Sequence, residues 1–374
     1  MILDCFFYIF FFIFALSLLS FFYPHNYTVN KNTANITFPI YIFALLSICL
    51  MAGIRYGIGT DYFSYKTIHS LLGKTSFHDY FIHHFIENDF NYSFEIGYYF
   101  LNRIFFFDYH VMLIFIEILI LFFVYKGIKI LNTSQEYILA TFIYLTSQFL
   151  YSMNGIRFAI AISIIFAGFK HIINKKPFYF SIYILLACCF HKTALVCLCF
   201  YFLKPIKNRK ISKLRDIFLF IFIISFFFFM GPMMEILKNI PFFNKYFIAY
   251  VFRNQNTFSI MILFHIIPVI LPILLLGKNC FKNEEFNVLF RIYLLELPFR
   301  IAGLINTLIT RMVRYPQMVE ILLIPIFLTN IKNKRIKSIT IVYYVGWYIF
   351  EFIYYAIIND ALGSLPYATF IHEF

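Results

Sequence analysis

Residues 109–131 read YHVMLIFIEILILFFVYKGIKIL, an apolar run longer than the roughly 20 residues that a helix needs to cross a bilayer. Runs of the same character lie on both sides of it, at residues 2–23, 37–54, 137–153, 156–174, 178–190, 193–204, 216–232, 258–277, 286–309, 315–331 and 338–358. Together they predict an all-α polytopic integral membrane protein of about twelve transmembrane helices, within a range of roughly ten to fourteen. The whole chain, residues 1–374, is expected to form one membrane domain.

The longest break between apolar runs is residues 55–108. It contains an amphipathic segment at residues 95–107, so a large loop that carries a surface helix is expected. The runs at 178–190 and 193–204 are short for a bilayer about 30 Å thick, which leaves open a tilted pair or one broken pair. The first run has no basic flank and no cleavage site, so we expect it to be retained as a helix.

Composition excludes a soluble globular protein. Of the 374 residues, 62% are hydrophobic and 13% are charged, and the mean hydropathy is +0.79. The net charge of +13 does not indicate nucleic-acid binding, because the basic residues sit in short loops between apolar runs and no nucleic-acid-binding motif is present. The seven cysteines lie mostly inside apolar runs without paired or metal-ligand spacing, so neither a disulfide framework nor a metal site is expected.

Lysine and arginine set the expected orientation, since cytoplasmic loops carry an excess of them. Alternate loops hold 18 basic residues in one set and 11 in the other, and the richer set includes Lys207 and Lys334. The richer set is therefore expected in the cytoplasm. Segment 55–108 and both chain termini are then extracytoplasmic. Basic residues at the outer ends of helices run against the positive-inside bias, so they need another explanation.

The first candidate cluster reads Arg55-Tyr-Gly-Ile-Gly-Thr-Asp61-Tyr62, followed by Tyr65. Its two glycines allow a sharp backbone turn, which holds Arg55 and Asp61 near the outer membrane boundary. An interfacial arginine beside tyrosines of the aromatic belt explains the same residues without a functional role. The residues alone leave both interpretations open.

Three further polar sites lie at predicted outer ends of helices. Glu95 begins the amphipathic segment, where the helix dipole favours a carboxylate. Asn154-Gly-Ile-Arg157 forms a turn between two spans, which explains the Asn-Gly pair but not the cation. His191 stands beside Lys192 at the next outer turn, where a structural role is as well founded as a functional one.

The motif Arg311-Met-Val-Arg314-Tyr315 is the strongest physical indication of an anionic ligand. Arginines three residues apart share a helix face and repel each other unless an anion lies between them. Glu296 and Arg300 in the preceding span are four residues apart and can pair. An internal ion network explains that pair as well as a substrate role does.

Taken in order, these motifs resemble a known family. They read Arg55-Tyr-Gly-Ile-Gly-Thr-Asp61-Tyr62-x-x-Tyr65, Glu95-x-x-Tyr98-x-x-Leu-Asn102, Asn154-x-x-Arg157-x-x-x-Ala161, Phe190-His191-Lys-Thr-Ala194 and Arg311-x-x-x-Tyr315 with Ile324-Pro325. Their order and positions resemble those of the EpsG-type proteins, which belong to the wider group of Wzy-like exopolysaccharide, capsule and O-antigen polymerases. The resemblance runs from about residue 50 to residue 330. Phe158 departs from it, because Gln usually follows the Asn-x-x-Arg motif.

The resemblance implies an enzyme of the bacterial cytoplasmic membrane that acts at its outer face. Such polymerases transfer a glycan from a polyprenyl pyrophosphate carrier to a sugar hydroxyl of another lipid-linked repeat unit. The expected partners are the polyprenyl-pyrophosphate-linked oligosaccharide, membrane lipids, and the flippase and chain-length regulator of the same pathway. Neither a cofactor nor a nucleic acid is implied.

The implied chemistry assigns a role to each candidate residue. Catalytic roles are expected for Asp61, Arg157, Arg311, Glu95 and His191, and substrate binding for Arg55, Tyr62, Tyr65, Arg314, Tyr315 and Arg300. The arginines are suited to a departing pyrophosphate, since guanidinium groups bind phosphate oxygens in two-pronged contacts. The attacking hydroxyl needs a general base, for which Asp61 comes first, with Glu95 and His191 behind it. Tyr62 and Tyr65 are suited to stack on sugars.

Two other functions fit the same sequence. A lipid-linked glycan flippase would line a path through the membrane midplane, and the charges of the run 286–309 favour it. A glycan ligase of similar topology would use the same donor with a different acceptor. Polar residues concentrate at outer helix ends and no internal repeat is evident, which favours the polymerase over the flippase.

Overall fold

The regular secondary structure of the described residues is helical, apart from one isolated β-bridge between Arg55 and Thr369, so the all-α prediction is confirmed. The computed structural model describes residues 2–22, 38–87, 89–203, 214–222, 224–225, 228–229, 271, 274–303, 311–358 and 363–370. Two compact units are present. The first unit comprises Met1–Lys170, Phe178–Leu195 and Asn333–Phe374, and the second comprises His171–Pro177 and Val196–Lys332.

The α-helices are numbered along the described part of the chain. They are α1 (Ile2–Phe22), α2 (Phe38–Ala44), α3 (Leu46–Ile54), α4 (Tyr62–Leu72), α5 (Phe77–Phe81), α6 (Ile96–Ile104), α7 (Tyr109–Ile128), α8 (Ser134–Ser147), α9 (Phe149–Asn154), α10 (Ile156–Ile173), α11 (Pro177–Cys188), α12 (Leu198–Phe202), α13 (Glu284–Leu294), α14 (Glu296–Gly303), α15 (Arg314–Gln317), α16 (Glu320–Thr329) and α17 (Lys334–Ile353). Residues 214–222 are also helical. Short 3-10 or π-helical turns lie at Ile82–Ile86, Phe90–Tyr92, Lys192–Cys197, Gly277–Lys282 and Tyr354–Ile358.

Three of the described helices are long and apolar enough to cross a membrane, namely Tyr109–Ile128, Ile156–Ile173 and Lys334–Ala356. Shorter apolar helices lie at Phe6–Phe22, Pro177–Cys188 and Lys192–Phe202. These helices agree with the predicted membrane character, while the number of about twelve spans stays a prediction. The runs predicted at 37–54 and 137–153 each form two helices, with interruptions at Leu45 and Gln148. The predicted runs 216–232, 258–277 and 286–309 lie partly outside the described residues.

One end of the first unit gathers the ends of several helices. The end of α3 and the start of α7 meet there, because His110 Nδ1 lies 2.8 Å from the carbonyl oxygen of Gly53. Residues 363–370 pack against the same end, where the Tyr367 hydroxyl donates to the carbonyl of Met51 at 2.6 Å. The name site end is used below for residues 51–62, 153–157 and 363–370.

Successive spans of the first unit alternate in direction. Helix α1 begins at the site end, where the Tyr8 hydroxyl donates to the carbonyl of Ser364 at 3.0 Å. The opposite end brings together the start of α2 and the last turns of α7, since the rings of Phe38 and Phe122 lie 5.0 Å apart. The α2–α3 pair therefore returns to the site end and α7 leaves it again, as a chain that crosses a membrane repeatedly requires.

Segment 55–108 is folded into helices α4, α5 and α6, which cover the site end. Helix α6 confirms the amphipathic segment predicted at residues 95–107. Helix α4 was not predicted, although Tyr62, Tyr65, His69 and Leu72 recur at helical spacing and are all buried.

Helix α4 packs against α6 through polar as well as aromatic groups. His69 Nδ1 lies 3.1 Å from the side-chain oxygen of Asn102, and burial lowers the pKa of this histidine. A neutral imidazole that donates from Nδ1 satisfies that oxygen. The Tyr80 ring stacks on Tyr99 at 4.1 Å, which fixes α5 against the same helix. Helix α6, which begins directly after Glu95, is therefore packed against α4 on one side and α5 on another.

Candidate functional site

Arg55 is buried at the site end and binds backbone rather than side chains. Its Nη1 donates to the carbonyl of Ala52, and its Nη2 donates to the carbonyl of Met153 at 2.9 Å. The guanidinium therefore ties the end of α3 to the end of α9. In this position Arg55 holds the shape of the site end, and the substrate contact expected for it stays a prediction.

Asn154 receives the loop that follows Arg55. Its side-chain oxygen accepts a hydrogen bond from the Thr60 hydroxyl at 2.9 Å and another from the backbone N–H of Asp61 at 3.2 Å. The loop of the first motif and the turn of the third motif are thus joined directly. The side chain of Asp61 is exposed at this junction, and no capping hydrogen bond to α4 occupies its carboxylate.

Gly59 allows the close approach of this loop to α9. Its φ is +97°, and a Cβ atom on it would lie 3.0 Å from the carbonyl oxygen of Met153. Gly57 has a φ of +66°, but a Cβ atom there would meet only the ring of Phe63 at an ordinary 3.6 Å. Two glycines close in sequence therefore differ in what a side chain would meet.

Gly59→Ala should consequently be more damaging than Gly57→Ala. A left-handed backbone costs an alanine about 1 kcal/mol, which is the whole expected effect at Gly57. Gly59→Ala adds a clash with a backbone oxygen that cannot move aside, for a total of roughly 2 kcal/mol or more. Thermal unfolding of the purified variants in the same detergent measures the difference. Equal unfolding temperatures for the two variants would contradict the close approach.

Glu95 and Arg157, both predicted as catalytic, form an ion pair. Arg157 Nη1 donates to Glu95 Oε2, while Oε1 accepts the backbone N–H of Lys192 at 3.2 Å. The guanidinium carbon lies 4.4 Å from the centre of the Phe94 ring and 5.8 Å from that of Tyr98. The pair is therefore enclosed by aromatic rings, which strengthens it by excluding water.

The enclosure also affects the tyrosine beside the pair. Tyr98 is fully buried, and this burial raises the pKa of its hydroxyl well above the ordinary value. The phenol therefore stays protonated, so it is a hydrogen-bond donor and not a base in this environment.

His191 belongs to the same neighbourhood through the turn that follows α11. Its Nδ1 lies 2.7 Å from the Thr193 hydroxyl, and its ring meets the edge of Phe158 at 5.0 Å. Phe158 thus packs on the predicted histidine at the position where the sequence departs from the expected glutamine. The backbone N–H of Gly97 donates to the carbonyl of Cys189 at 2.7 Å, which seats α6 on this turn.

Tyr62 and Tyr65 lie inside the fold, with exposed fractions of 1% and 7%. The Tyr62 ring meets Tyr109 at 5.6 Å, and the Tyr65 ring meets Tyr98 at 5.7 Å. Both rings occupy the buried stripe of α4. A sugar-stacking role would require their faces to be uncovered, so this role stays a prediction.

The second unit contains the other candidate residues. The predicted pairing of Glu296 with Arg300 is confirmed, since Arg300 Nε donates to Glu296 Oε1 at 2.6 Å. Arg311 is exposed and precedes α15, while Arg314 is half-buried and its Nη1 donates to the side-chain oxygen of Gln317 at 3.1 Å. Tyr315 is fully buried and anchors this motif in the unit, and the substrate contact expected for it stays a prediction.

The sequence analysis missed an acidic partner in this unit. Arg291 Nη1 donates to Asp216 Oδ2, and Arg215 Nη2 donates to the other oxygen of the same carboxylate, Oδ1, at 2.7 Å. Asp216 is an acidic residue at the first position of the apolar run 216–232, and this position could have indicated a buried or paired carboxylate. Asp216 and Arg291 line an otherwise apolar pocket with Leu203, Ile217, Phe220, Leu294 and Leu295.

No grouping of three or more His, Cys, Asp or Glu side chains suited to a metal ion occurs within the described residues. The site end brings the guanidinium of Arg157 and the exposed carboxylate of Asp61 to adjoining turns.

Comparison with known proteins identifies a family model that matches this chain. The model of the EpsG family matches residues 38–369, nearly the whole chain. Neither a curated protein nor a solved structure gives a significant match. The matched range includes every motif of the site end and the motif at residues 311–315.

Proposed function

The chain belongs to the EpsG family, and on this premise we propose that it is a polysaccharide polymerase of the bacterial cytoplasmic membrane. It transfers a glycan from polyprenyl pyrophosphate to a sugar hydroxyl of another lipid-linked repeat unit. The proposal includes about twelve transmembrane helices, extracytoplasmic termini and a reaction at the outer face. Its expected protein partners are the flippase and the chain-length regulator of the same pathway.

The convergence of separate polar motifs at the site end carries the proposal. Glu95, Arg157 and the turn at residues 190–193 are far apart in sequence, yet they share hydrogen bonds. Asn154, three residues before Arg157, binds the loop of Asp61. A cation and an open carboxylate therefore lie on two sides of one short turn, as a displacement at a glycosyl phosphate requires.

The proposed reaction assigns the residues as follows. The oxygen of the acceptor hydroxyl attacks the anomeric carbon of the donor, and the Asp61 carboxylate accepts the proton of that hydroxyl. The bond from that carbon to the phosphate oxygen breaks, and the lipid pyrophosphate departs with the bonding electrons. Arg157 stabilises the developing negative charge. Both carboxylate oxygens of Glu95 are engaged, so Glu95 orients Arg157 and is not the base.

Arg311 and Arg314 are proposed to bind the anionic part of a lipid-linked substrate. The exposure of Arg311 supports this role, since its side chain is accessible to a ligand. The buried Tyr315, four residues later, anchors the backbone of the motif. The pairing of Arg300 with Glu296 supports a structural function for Arg300 instead.

Depletion of the protein in its source cells distinguishes this function from the two alternatives. Loss of a polymerase leaves single lipid-linked repeats on the outer leaflet, where periodate added to intact cells oxidises their sugars. Loss of a flippase leaves the same repeats on the inner leaflet, protected from periodate. Loss of a ligase leaves long polymer still attached to lipid. Accumulation of either of the latter two products would overturn the proposed polymerase.

The proposed topology has a direct test in cysteine labelling. Single cysteines at Asp61, His191 and Arg311, placed in a variant without the seven native cysteines, should react with an impermeant maleimide in intact cells. A cysteine at Lys334 should react only after the membrane is opened. Labelling of Lys334→Cys in intact cells would show that the orientation is the opposite of the predicted one and would contradict a reaction at the outer face. Lys207, also expected in the cytoplasm, lies outside the described residues.

A further inference from the structure

Helices α5 and α6 turn apolar side chains outward although neither is a membrane span. Phe77 and Phe81 on α5 are 50% and 46% exposed, and Ile96, Phe100 and Ile104 on α6 are 37%, 46% and 61% exposed. The spacing of four residues places these side chains on one face of each helix. The rings of Phe77 and Phe100 stack at 5.9 Å, so the two faces form one surface. We call Phe77, Phe81, Ile96, Phe100 and Ile104 the aromatic ledge.

The opposite face of α6 is the one that packs into the protein, so the ledge is an outer surface of this helix and not part of the core. Tyr98, Tyr99 and Asn102 point inward and are buried against α4 and α5. A helix on a water-facing surface has the reverse pattern, with its polar side outward. A contiguous apolar surface of this kind on a protein marks contact with a partner or a membrane.

The ledge continues into the apolar surface of a transmembrane helix. Phe106 and Phe107, which are 60% and 63% exposed, lead from α6 into the membrane-span candidate α7. The ring of Phe105 lies 4.8 Å from that of Phe115, which is itself an outward residue of α7. Exposed phenylalanines therefore continue from α7 through residues 106–107 to the end of α6, where Ile104 belongs to the ledge.

Basic side chains border this surface. Lys74 and Arg103 are exposed, and Arg103 extends over the ring of Phe106 at 5.8 Å while its Nη1 donates to the carbonyl of Gly73 at 2.8 Å. A cation that lies above apolar rings is suited to lipid phosphates at the boundary between acyl chains and headgroups. The exposed carboxylates of Asp79 and Asp108 lie in the same segment, so continuity with the apolar surface of α7, and not net charge, favours lipid over a second protein.

We propose that α5 and α6 lie in the plane of the membrane interface, with the aromatic ledge immersed at the boundary of headgroups and acyl chains. Glu95 is the N-cap residue of α6. The ion pair of Glu95 with Arg157 is then held near headgroup depth, which is where the phosphates of a lipid-linked donor lie. This last consequence rests on the proposed polymerase function, whereas the lipid contact does not.

Fluorescence quenching by brominated lipids tests the immersion without reference to polymerase activity. The chain has a single tryptophan, so Trp347→Phe provides a background in which Phe81→Trp, Phe107→Trp and Phe115→Trp each carry one reporter. Each variant is reconstituted into phosphatidylcholine vesicles brominated at shallow or at deep acyl positions. Phe115 follows Tyr109, the first residue of α7, by six positions, or about 9 Å along the helix, and serves as the deeper reference.

Shallow bromines should quench Phe81→Trp and Phe107→Trp most strongly, and deeper bromines should quench Phe115→Trp. Phe81 on the ledge and Phe107 beside it are both used so that misfolding of one variant does not decide the result. Quenching of Phe115→Trp together with unquenched fluorescence from both other variants would overturn the proposal. If the ledge is immersed but depletion of the protein accumulates no single repeats, the lipid contact stands and the polymerase function fails.

Discussion

Arg157→Ala should reduce polymer formation about a hundredfold or more, because it removes the cation that we propose to stabilise the departing pyrophosphate. It also leaves the carboxylate of Glu95 buried without its partner, which destabilises a protein by roughly 3–5 kcal/mol. Arg157→Lys keeps the charge but loses the two-pronged geometry, so it should also be impaired. Polymer length on a gel and the amount of protein in the membrane are measured together. Arg335→Ala, which removes an exposed arginine at the start of α17, is the matched control.

The double variant Glu95→Leu/Arg157→Met separates loss of function from loss of stability. Replacing both members of a buried ion pair by apolar residues of similar volume is often neutral for stability. The double variant should therefore unfold near the wild-type temperature and still make no long polymer. Full-length polymer from this variant would contradict the assigned role of Arg157 and leave the pair a purely structural one.

Arg311→Ala and Arg314→Ala should each reduce polymer formation by about a hundredfold, through loss of a charge-assisted contact with an anion. Arg311 is exposed, so its removal should change the free energy of unfolding by no more than about 0.5 kcal/mol. A large functional loss at unchanged stability is the expected signature of ligand binding. Arg311→Lys should be impaired as well, since a lysine makes only a single-point contact.

Arg314 needs a separate structural control, because its guanidinium binds the side chain of Gln317. Gln317→Leu removes that contact and keeps both arginines, so it should retain most of the polymer if the arginines act on substrate. Arg335→Ala again serves as the exposed-arginine control, since Arg253, an outer-loop arginine with only a surface role expected, lies outside the described residues. Full-length polymer from both alanine variants would exclude an anion-binding role for residues 311–314.

Local signals in the sequence predicted much of the helical structure. The length of an apolar run depends only on neighbouring residues, which is why the helices at 109–128 and 156–173 could be predicted. The pairing of Glu296 with Arg300 follows from a spacing of four on one helix. The buried stripe of α4 has the same kind of signal, but Tyr62 and Tyr65 were expected to contact a sugar or to belong to an aromatic belt at the membrane boundary.

Contacts between distant residues could not be read from spacing. Glu95 and Arg157 are 62 residues apart, and a helix start explains Glu95 locally, while nothing local explains the cation of Arg157. Only the fold shows that they bind each other. Arg55 was expected to bind a phosphate, whereas the structure directs it to the backbone carbonyls of Ala52 near the end of α3 and Met153 near the end of α9.

The docking of residues 363–370 on the site end has a consequence for the order in which the protein is made. Tyr367 and Met51 are 316 residues apart, and a ribosome needs roughly 15 to 60 s to add that many. The Arg55 loop therefore emerges early, and its contacts with residues 368 and 369 form only after that part of the chain has been synthesised. A nascent chain, or one cut short by a late nonsense codon, enters the bilayer with this loop unfinished. A chain that ends before residue 363 therefore lacks the contacts that Tyr367 and Thr369 make with the site end.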